Sequence, residues 1–170
     1  MVPYIVWNGP APTTAAQQSV TTGTSIKTML QLATPSTRQI QLLEWGFSLD
    51  DPPGADGVVE LLQTDVAATV TAHVNAGVQN LDPNGANTLL TLGTSATGYT
   101  ATAEGTTTAS RVFDTVSLSS VSGESGLQYV RQWMPDTRPI IAVSRFLRVR
   151  ATTPTTATDM RCWVIFQEVG

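Results

Sequence analysis

The residue types that most often carry enzyme chemistry are nearly absent: His73, Cys162 and Lys27 are each the only one of their kind in 170 residues. A Ser-His-Asp set would have to use His73, which lies in the alternation Thr69-Val70-Thr71-Ala72-His73-Val74 and shares a face with Thr69 and Thr71. Nothing nearby supplies the rest of such a constellation, so His73 reads as a solvent-facing or hydrogen-bonded strand histidine. The run Gly123-Glu124-Ser125-Gly126 superficially matches a nucleophile elbow but lacks its spacing and the helix that must follow. One histidine and one cysteine cannot make a tetrahedral zinc site. Asp50, Asp51 and Asp56 crowd one loop with Glu60 nearby, but Pro52 and Pro53 interrupt it and the EF-hand spacing is missing, so these carboxylates read as turn formers.

Two further chemistries can be built from distant positions. Glu44, Asp114 and Glu168 are carboxylates that could face one another across a glycosidase cleft. Trp7, Tyr99, Trp133 and Trp163 are aromatic candidates for stacking on a sugar, although tryptophans in a β-sandwich are more often core and rim residues. No glycine-rich phosphate loop precedes a helix. The expectation is a chain that is not an enzyme and takes no cofactor and no metal.

The elements that must position these residues are strands. Threonine occurs 27 times, and a branched Cβ fits a pleated, half-buried surface while losing rotamers in a helix. A chain of this length can bury one self-sufficient core, and a single cysteine leaves no disulfide within the chain. Charged residues are 13% of the total and the net charge is −4, without a basic patch, which argues against nucleic acid as a partner. A surface covered mainly by Thr, Ser, Gln and Ala suits packing against other protein. Apolar runs such as Ile140 to Val143 are too short for a membrane span, and the first residues lack the pattern of a signal peptide, so a soluble chain made in the cytoplasm, with no membrane partner, is expected.

Nine alternating runs are predicted as strands: Ser25 to Leu32, Gln39 to Leu49, Val58 to Thr64, Thr69 to Val74, Tyr99 to Ala103, Arg111 to Ser119, Leu127 to Met134, Ile140 to Ala151 and Met160 to Val169. Turns fall at Asp51-Pro52-Pro53-Gly54, Asp82-Pro83-Asn84-Gly85 and Ser122 to Gly126. The fold class is all-β, an antiparallel jelly-roll β-sandwich of about eight or nine strands. Residues 1–24 form an N-terminal arm or edge segment, and residues 25–170 form the sandwich domain.

Within Gln39 to Leu49, the residues Leu43, Trp45, Phe47 and Leu49 share a core face, and Ile40 and Leu42 stand out of phase with it, so a β-bulge is predicted near Gln41 to Leu43. Gly46 is placed to let that strand bend. The eight-residue link Thr152 to Asp159 allows the last two strands to form a hairpin pairing Val149 with Cys162. Leu147, Val149, Ala151, Met160, Cys162, Val164 and Phe166 then face the core, and Arg148, Arg150, Arg161 and Trp163 face away. Arg150 falls opposite Arg161, which requires either carboxylates within the subunit or a partner surface to neutralise the pair. Arg148 falls beside Trp163, within reach of a cation–π contact.

Leu43-Glu44-Trp45-Gly46-Phe47-Ser48-Leu49-Asp50, Val58-Val59-Glu60-Leu61-Leu62, the Leu81-Asp82-Pro83 turn and the C-terminal Cys162-Trp163-Val164-Ile165-Phe166-Gln167-Glu168 resemble a group of actinobacteriophage and related phage virion proteins associated with capsid decoration, the cement proteins. The resemblance runs from about Ile26 to the end. It implies a jelly-roll subunit, a homotrimer, on the capsid exterior, bound to a major capsid protein shell with the HK97-like fold. On that reading Tyr4, Ile5, Val6 and Trp7 are an anchoring arm whose removal leaves the domain folded, and Arg148, Arg150 and Arg161 form a face buried between subunits. The rival classes are a phage tail or receptor-binding module and a free carbohydrate-binding β-sandwich.

Overall fold

The computed structural model describes residues 2–120 and 127–170, so the expected turn Ser122 to Gly126 and the elbow-like Gly123 to Gly126 lie outside the described residues. In chain order the strands are β1 (Pro3–Trp7), β2 (Val20–Thr21), β3 (Lys27–Ala33), β4 (Gln39–Leu49), β5 (Gly57–Thr64), β6 (Thr69–Ala72), β7 (Val78–Asn80), β8 (Gly98–Ala103), β9 (Ser110–Leu118), β10 (Gln128–Gln132), β11 (Ile140–Ile141), β12 (Phe146–Thr152) and β13 (Asp159–Val169). The expected all-β sandwich is present. One sheet runs β10-β4-β13-β1-β7, with β11 beside β4 and β2 beside β13; the other runs β6-β8-β3-β12-β5-β9. Eight of the nine expected runs match a strand to within a few residues, the run Ile140 to Ala151 divides into β11 and β12, and the short β2 and β7 were not expected.

The ladders are nested. β1 pairs with β13, β3 with β12, β4 with β10 and β5 with β9, and the two sheets close when β4 meets β13 and β5 meets β12. Residues 65–109 are inserted between β5 and β9, and they extend both sheets: β7 lies beside β1, while β8 lies beside β3 with β6 outside it. The inward faces supply the core. Leu30, Leu32, Leu61, Leu147 and Val149 from the second sheet meet Ile40, Leu42, Trp45, Phe47, Val164 and Phe166 from the first, all fully or almost fully buried. Each such side chain contributes about 1.5–3 kcal/mol on leaving water.

The open side between edge strands β9 and β10 is closed by a polar lock. The buried Trp45 must place its indole N–H on an acceptor, and it donates to Asp114 Oδ2 at 3.0 Å. Tyr129 donates its hydroxyl to the same oxygen at 2.8 Å, and Arg131 pairs with Oδ1 at 2.8 Å while lying over the Trp133 ring. Burial, and then the hydrogen bond to Asp114, hold the Tyr129 phenol above its usual range.

The insertion is tied down at its neck and over the outer face of the second sheet. The Asp65 carboxylate accepts the Thr108 hydroxyl and the N–H groups of Ala109 at 3.1 Å and Thr108 at 3.2 Å, which together lower its pKa to about 2. Arg148 is completely buried beneath the insertion and donates to the carbonyls of Val66 and Glu104 and to the Glu104 carboxylate. Glu104 in turn accepts the Thr28 backbone N–H at 2.5 Å and its hydroxyl at 2.6 Å. The buried Gln31 amide accepts from Ala68 N and donates to the carbonyls of Ala68 and Ala96, standing in for strand pairing where the backbone has none.

Three expectations are corrected here. The last two strands do not form a hairpin: β12 pairs with β3 and β5 in one sheet, and β13 with β4 and β1 in the other, so Leu147, Val149 and Ala151 face Met160, Cys162, Val164 and Phe166 across the core rather than along an edge. An eight-residue link spans two packed sheets as readily as it turns a hairpin. Tyr4 to Trp7 are not a free arm, because β1 is hydrogen-bonded on both sides, to β13 and β7, with Tyr4 and Val6 in the core. Asn8 continues the attachment with its side chain, donating to Met160 O and accepting from Cys162 N, both at 2.9 Å. In β4 the extra residue is Leu43, since Ile165 pairs with Glu44 and Phe166 with Leu42. The bulge keeps Ile40 and Leu42 in phase with Trp45, Phe47 and Leu49, and it leaves Leu43 half-buried rather than on the core face.

Candidate binding face

The outer face of the first sheet carries two rows of side chains across its strands. In one row Val130, Gly46, Trp163 and Trp7 are successive cross-strand partners; in the next, Gln132, Glu44, Ile165, Ile5 and Gln79. Gly46 is required by the first row. A Cβ there would overlap the Trp163 ring and come within 2.6 Å of the Tyr129 carbonyl, so the missing side chain is the slot in which the indole lies. Trp163 donates its indole N–H to Glu44 Oε1 at 3.0 Å, and Gln132 donates to Glu44 Oε2 at 2.6 Å. The Trp7 ring packs against Trp163 with centroids 5.1 Å apart and a 38° tilt.

The result is an apolar platform with fixed geometry. Trp7, Ile5 and Ile165 are half-buried, and Val130 is 47% exposed at the β10 edge. Gln41, Gln79, Gln128, Gln132 and Gln167 frame it, Gln167 donating to Gln41 at 2.5 Å. The Glu44 carboxylate has both oxygens committed to its neighbours. An aromatic and aliphatic centre whose one carboxylate is engaged, inside a rim of glutamines with the Asp50-paired Arg161 at one side, is the composition of a protein-binding patch.

His73 supports this face from behind. It is buried, packs on Tyr99 with centroids 4.8 Å apart, and its Nε2 lies 2.8 Å from the Trp7 carbonyl, which fixes the Nε2–H tautomer because a carbonyl can only accept. Burial lowers its pKa below the ordinary 6.5, outweighing the opposing effect of the Trp7 hydrogen bond. Its neutral form therefore favours the fold: the contribution is fully present above pH 6.5 and is lost as pH falls from there through the lower folded value. Urea midpoints measured between about pH 7 and pH 5 are expected to drop on acidification in the wild type and to drop less in His73→Gln. Equal slopes in the two proteins would contradict this assignment.

The structure separates the three arginines expected to share one face. Arg148 and Arg150 project from the outer side of the second sheet and Arg161 from the outer side of the first, because β12 and β13 belong to different sheets. Arg148 is covered by its own chain and lies in the sheet opposite Trp163, Arg150 pairs with Glu60 at 3.1 Å, and Arg161 pairs with Asp50 at 3.0 Å. Carboxylates within the subunit thus neutralise the two charges that a hairpin would have opposed. Of the aromatic candidates, Trp7 and Trp163 come together, whereas Tyr99 packs on His73 and Trp133 beneath Arg131.

The remaining chemical candidates have separate attachments. Glu168 accepts from the Thr88 hydroxyl and the Leu89 N–H, Asp56 accepts from the Ser120 N–H and hydroxyl, and Asp51 is bonded through its backbone to Thr158. Cys162 is buried, and burial pushes its thiol well above the usual range. Among the described residues no group of three or more His, Cys, Asp or Glu side chains is placed to hold a metal ion.

Sequence reasoning did not find the platform, although a signal for it exists. Both phases of β1 are apolar, Tyr4 and Val6 on one side and Ile5 and Trp7 on the other, and β13 repeats this with Trp163 and Ile165. Strands that are apolar in both phases are covered, or made to be covered, on both faces. Comparison with family models, curated proteins and solved structures finds no match to this chain.

Proposed function

We propose that this chain is a non-catalytic structural protein of a phage virion: a capsid decoration (cement) subunit that binds the outside of the major capsid protein shell and stabilises it. The observation that carries the proposal is the glutamine-framed Trp7–Trp163 platform, whose partner-facing chemistry is that of a protein interface. Two features support it. The nested ladders β1·β13, β3·β12, β4·β10 and β5·β9 fit jelly-roll winding, and the segments around Trp45 and Trp163 that resemble cement proteins build this very face. The single histidine and the single cysteine, both buried, are spent on packing, which favours a mechanical role over a catalytic one. Burying about 800 Å² per partner on each copy, repeated over the expanded shell, would oppose the internal pressure of packaged DNA. A homotrimer on an HK97-like shell is the assembly the resemblance implies.

A second reading, carbohydrate binding, draws on the same indole pair. The committed Glu44 oxygens and the 9% exposure of Trp163 leave it little ring surface and no free carboxylate with which to hold sugar hydroxyls, so the protein-docking reading is preferred.

Val130→Lys tests the proposal, because Val130 is exposed and its replacement puts a charge in the platform without touching the core. Wild-type protein is expected to co-sediment with expanded shells of the major capsid protein, and the variant to bind at least about tenfold more weakly, with an unchanged melting midpoint. Equal binding by the variant would exclude this face as the contact, and failure of the wild type to bind would exclude the decoration role.

A further inference from the structure

We infer that the end of the sandwich where β5, β9 and the segment before β12 converge is an oxyanion-binding site. This site is separate from the platform and independent of the decoration reading. A cavity of about 170 Å³ opens there, lined by Gln63, Asp65, Ala109, Ser110, Arg111 and Arg145. Neighbouring strands bring these residues together: Gln63 is the cross-strand partner of Arg111 on one side and of Leu147 on the other, two residues beyond Arg145.

The lining is rich in uncommitted donors, and its one carboxylate is engaged elsewhere. The backbone N–H of Ala142 donates to Gln63 Oε1 at 3.1 Å, which orients the amide and leaves its two N–H groups uncommitted. The side chains of Ser110, Arg111 and Arg145 make no hydrogen bond or ion pair with any described residue. Asp65 is the one acidic group, and its carboxylate is turned to Thr108 and Ala109, so it pairs with neither guanidinium. Two unneutralised guanidiniums against one engaged carboxylate leave an excess positive charge in a concave site, and their planar N–H edges match a carboxylate, sulfate or phosphate. The volume is more than ten times the roughly 10–15 Å³ that a cavity needs to hold one water, enough for such an anion with residual hydration.

The ligand is therefore an oxyanion, either a free tetrahedral ion or the carboxylate of an acidic side chain presented by a docked protein. The test is a side-chain ¹⁵N–¹H NMR titration of the full chain with sodium sulfate, sodium phosphate and sodium acetate, each at constant ionic strength against chloride. Saturable shifts are expected at the Arg111 and Arg145 Nε–H and Gln63 amide signals. Saturation by sulfate or phosphate alone identifies a free tetrahedral anion, whereas saturation by acetate identifies a carboxylate. Arg111→Gln and Arg145→Gln are each expected to weaken half-saturation by about tenfold and to keep the wild-type melting midpoint, since both side chains are exposed and without protein partners. Shifts that stay linear with all three anions, or saturation unchanged in the double variant, would overturn the site.

Discussion

Replacing Arg148 with alanine is expected to destabilise the fold by roughly 3–5 kcal/mol, the cost of removing one partner from a buried charged network. Its side chain is 0% exposed, against 24% for Glu104, and it holds two backbone carbonyls as well as that carboxylate. Alanine leaves the carbonyls of Val66 and Glu104 without their donor and opens a void under the insertion. Arg148→Met fills most of the volume and restores none of the donors, so it should fall between the two. The control is Arg161→Ala: that pair is 38% and 40% exposed, and losing it should cost under about 1 kcal/mol. Urea denaturation measures all three, and an Arg148→Ala protein within 1 kcal/mol of wild type would show that the guanidinium does not clamp residues 65–109 to the second sheet.

Removal of residues 1–8 is expected to abolish cooperative folding. The deletion takes Tyr4 and Val6 from the core, strips the hydrogen-bond partner from β13 and from β7, and removes Asn8, whose amide is bonded to the backbone of Met160 and Cys162. Those losses together exceed the margin of about 5–15 kcal/mol by which domains are stable. Near-ultraviolet circular dichroism and amide dispersion in an NMR spectrum are the measures; a truncated chain that keeps native spectra would restore the picture of a dispensable arm.

The contrast between Arg148 and Arg161 also marks where the sequence could be read. Alternation correctly told which residues of β12 and β13 point inward, because a period of two is a local property of each strand. It could not tell which sheet each strand joins, since Leu147 to Ala151 and Met160 to Phe166 present the same apolar phase whether they lie side by side or face to face. The bulge in β4 was legible because Ile40 and Leu42 break phase with Trp45, and a phase break has one simple remedy. The burial of Arg148 was not, because what covers it is a segment more than 40 residues away in the chain. Asp114 was visible only as one of three distant carboxylates, with Glu44 and Glu168, and its partners Trp45, Tyr129 and Arg131 meet it only when β4, β9 and β10 are assembled. The platform falls between these cases: its apolar residues stand out in β1 and β13, while the slot at Gly46 needs the cross-strand register to be seen.

The proposed decoration role is tested most directly by looking for this chain in a virion. A cryo-EM reconstruction of the mature virion is expected to show this sandwich on the exterior of the shell, with Trp7, Val130 and Ile165 turned toward the major capsid protein. Density for it on the tail, or its absence from the shell, would contradict the account.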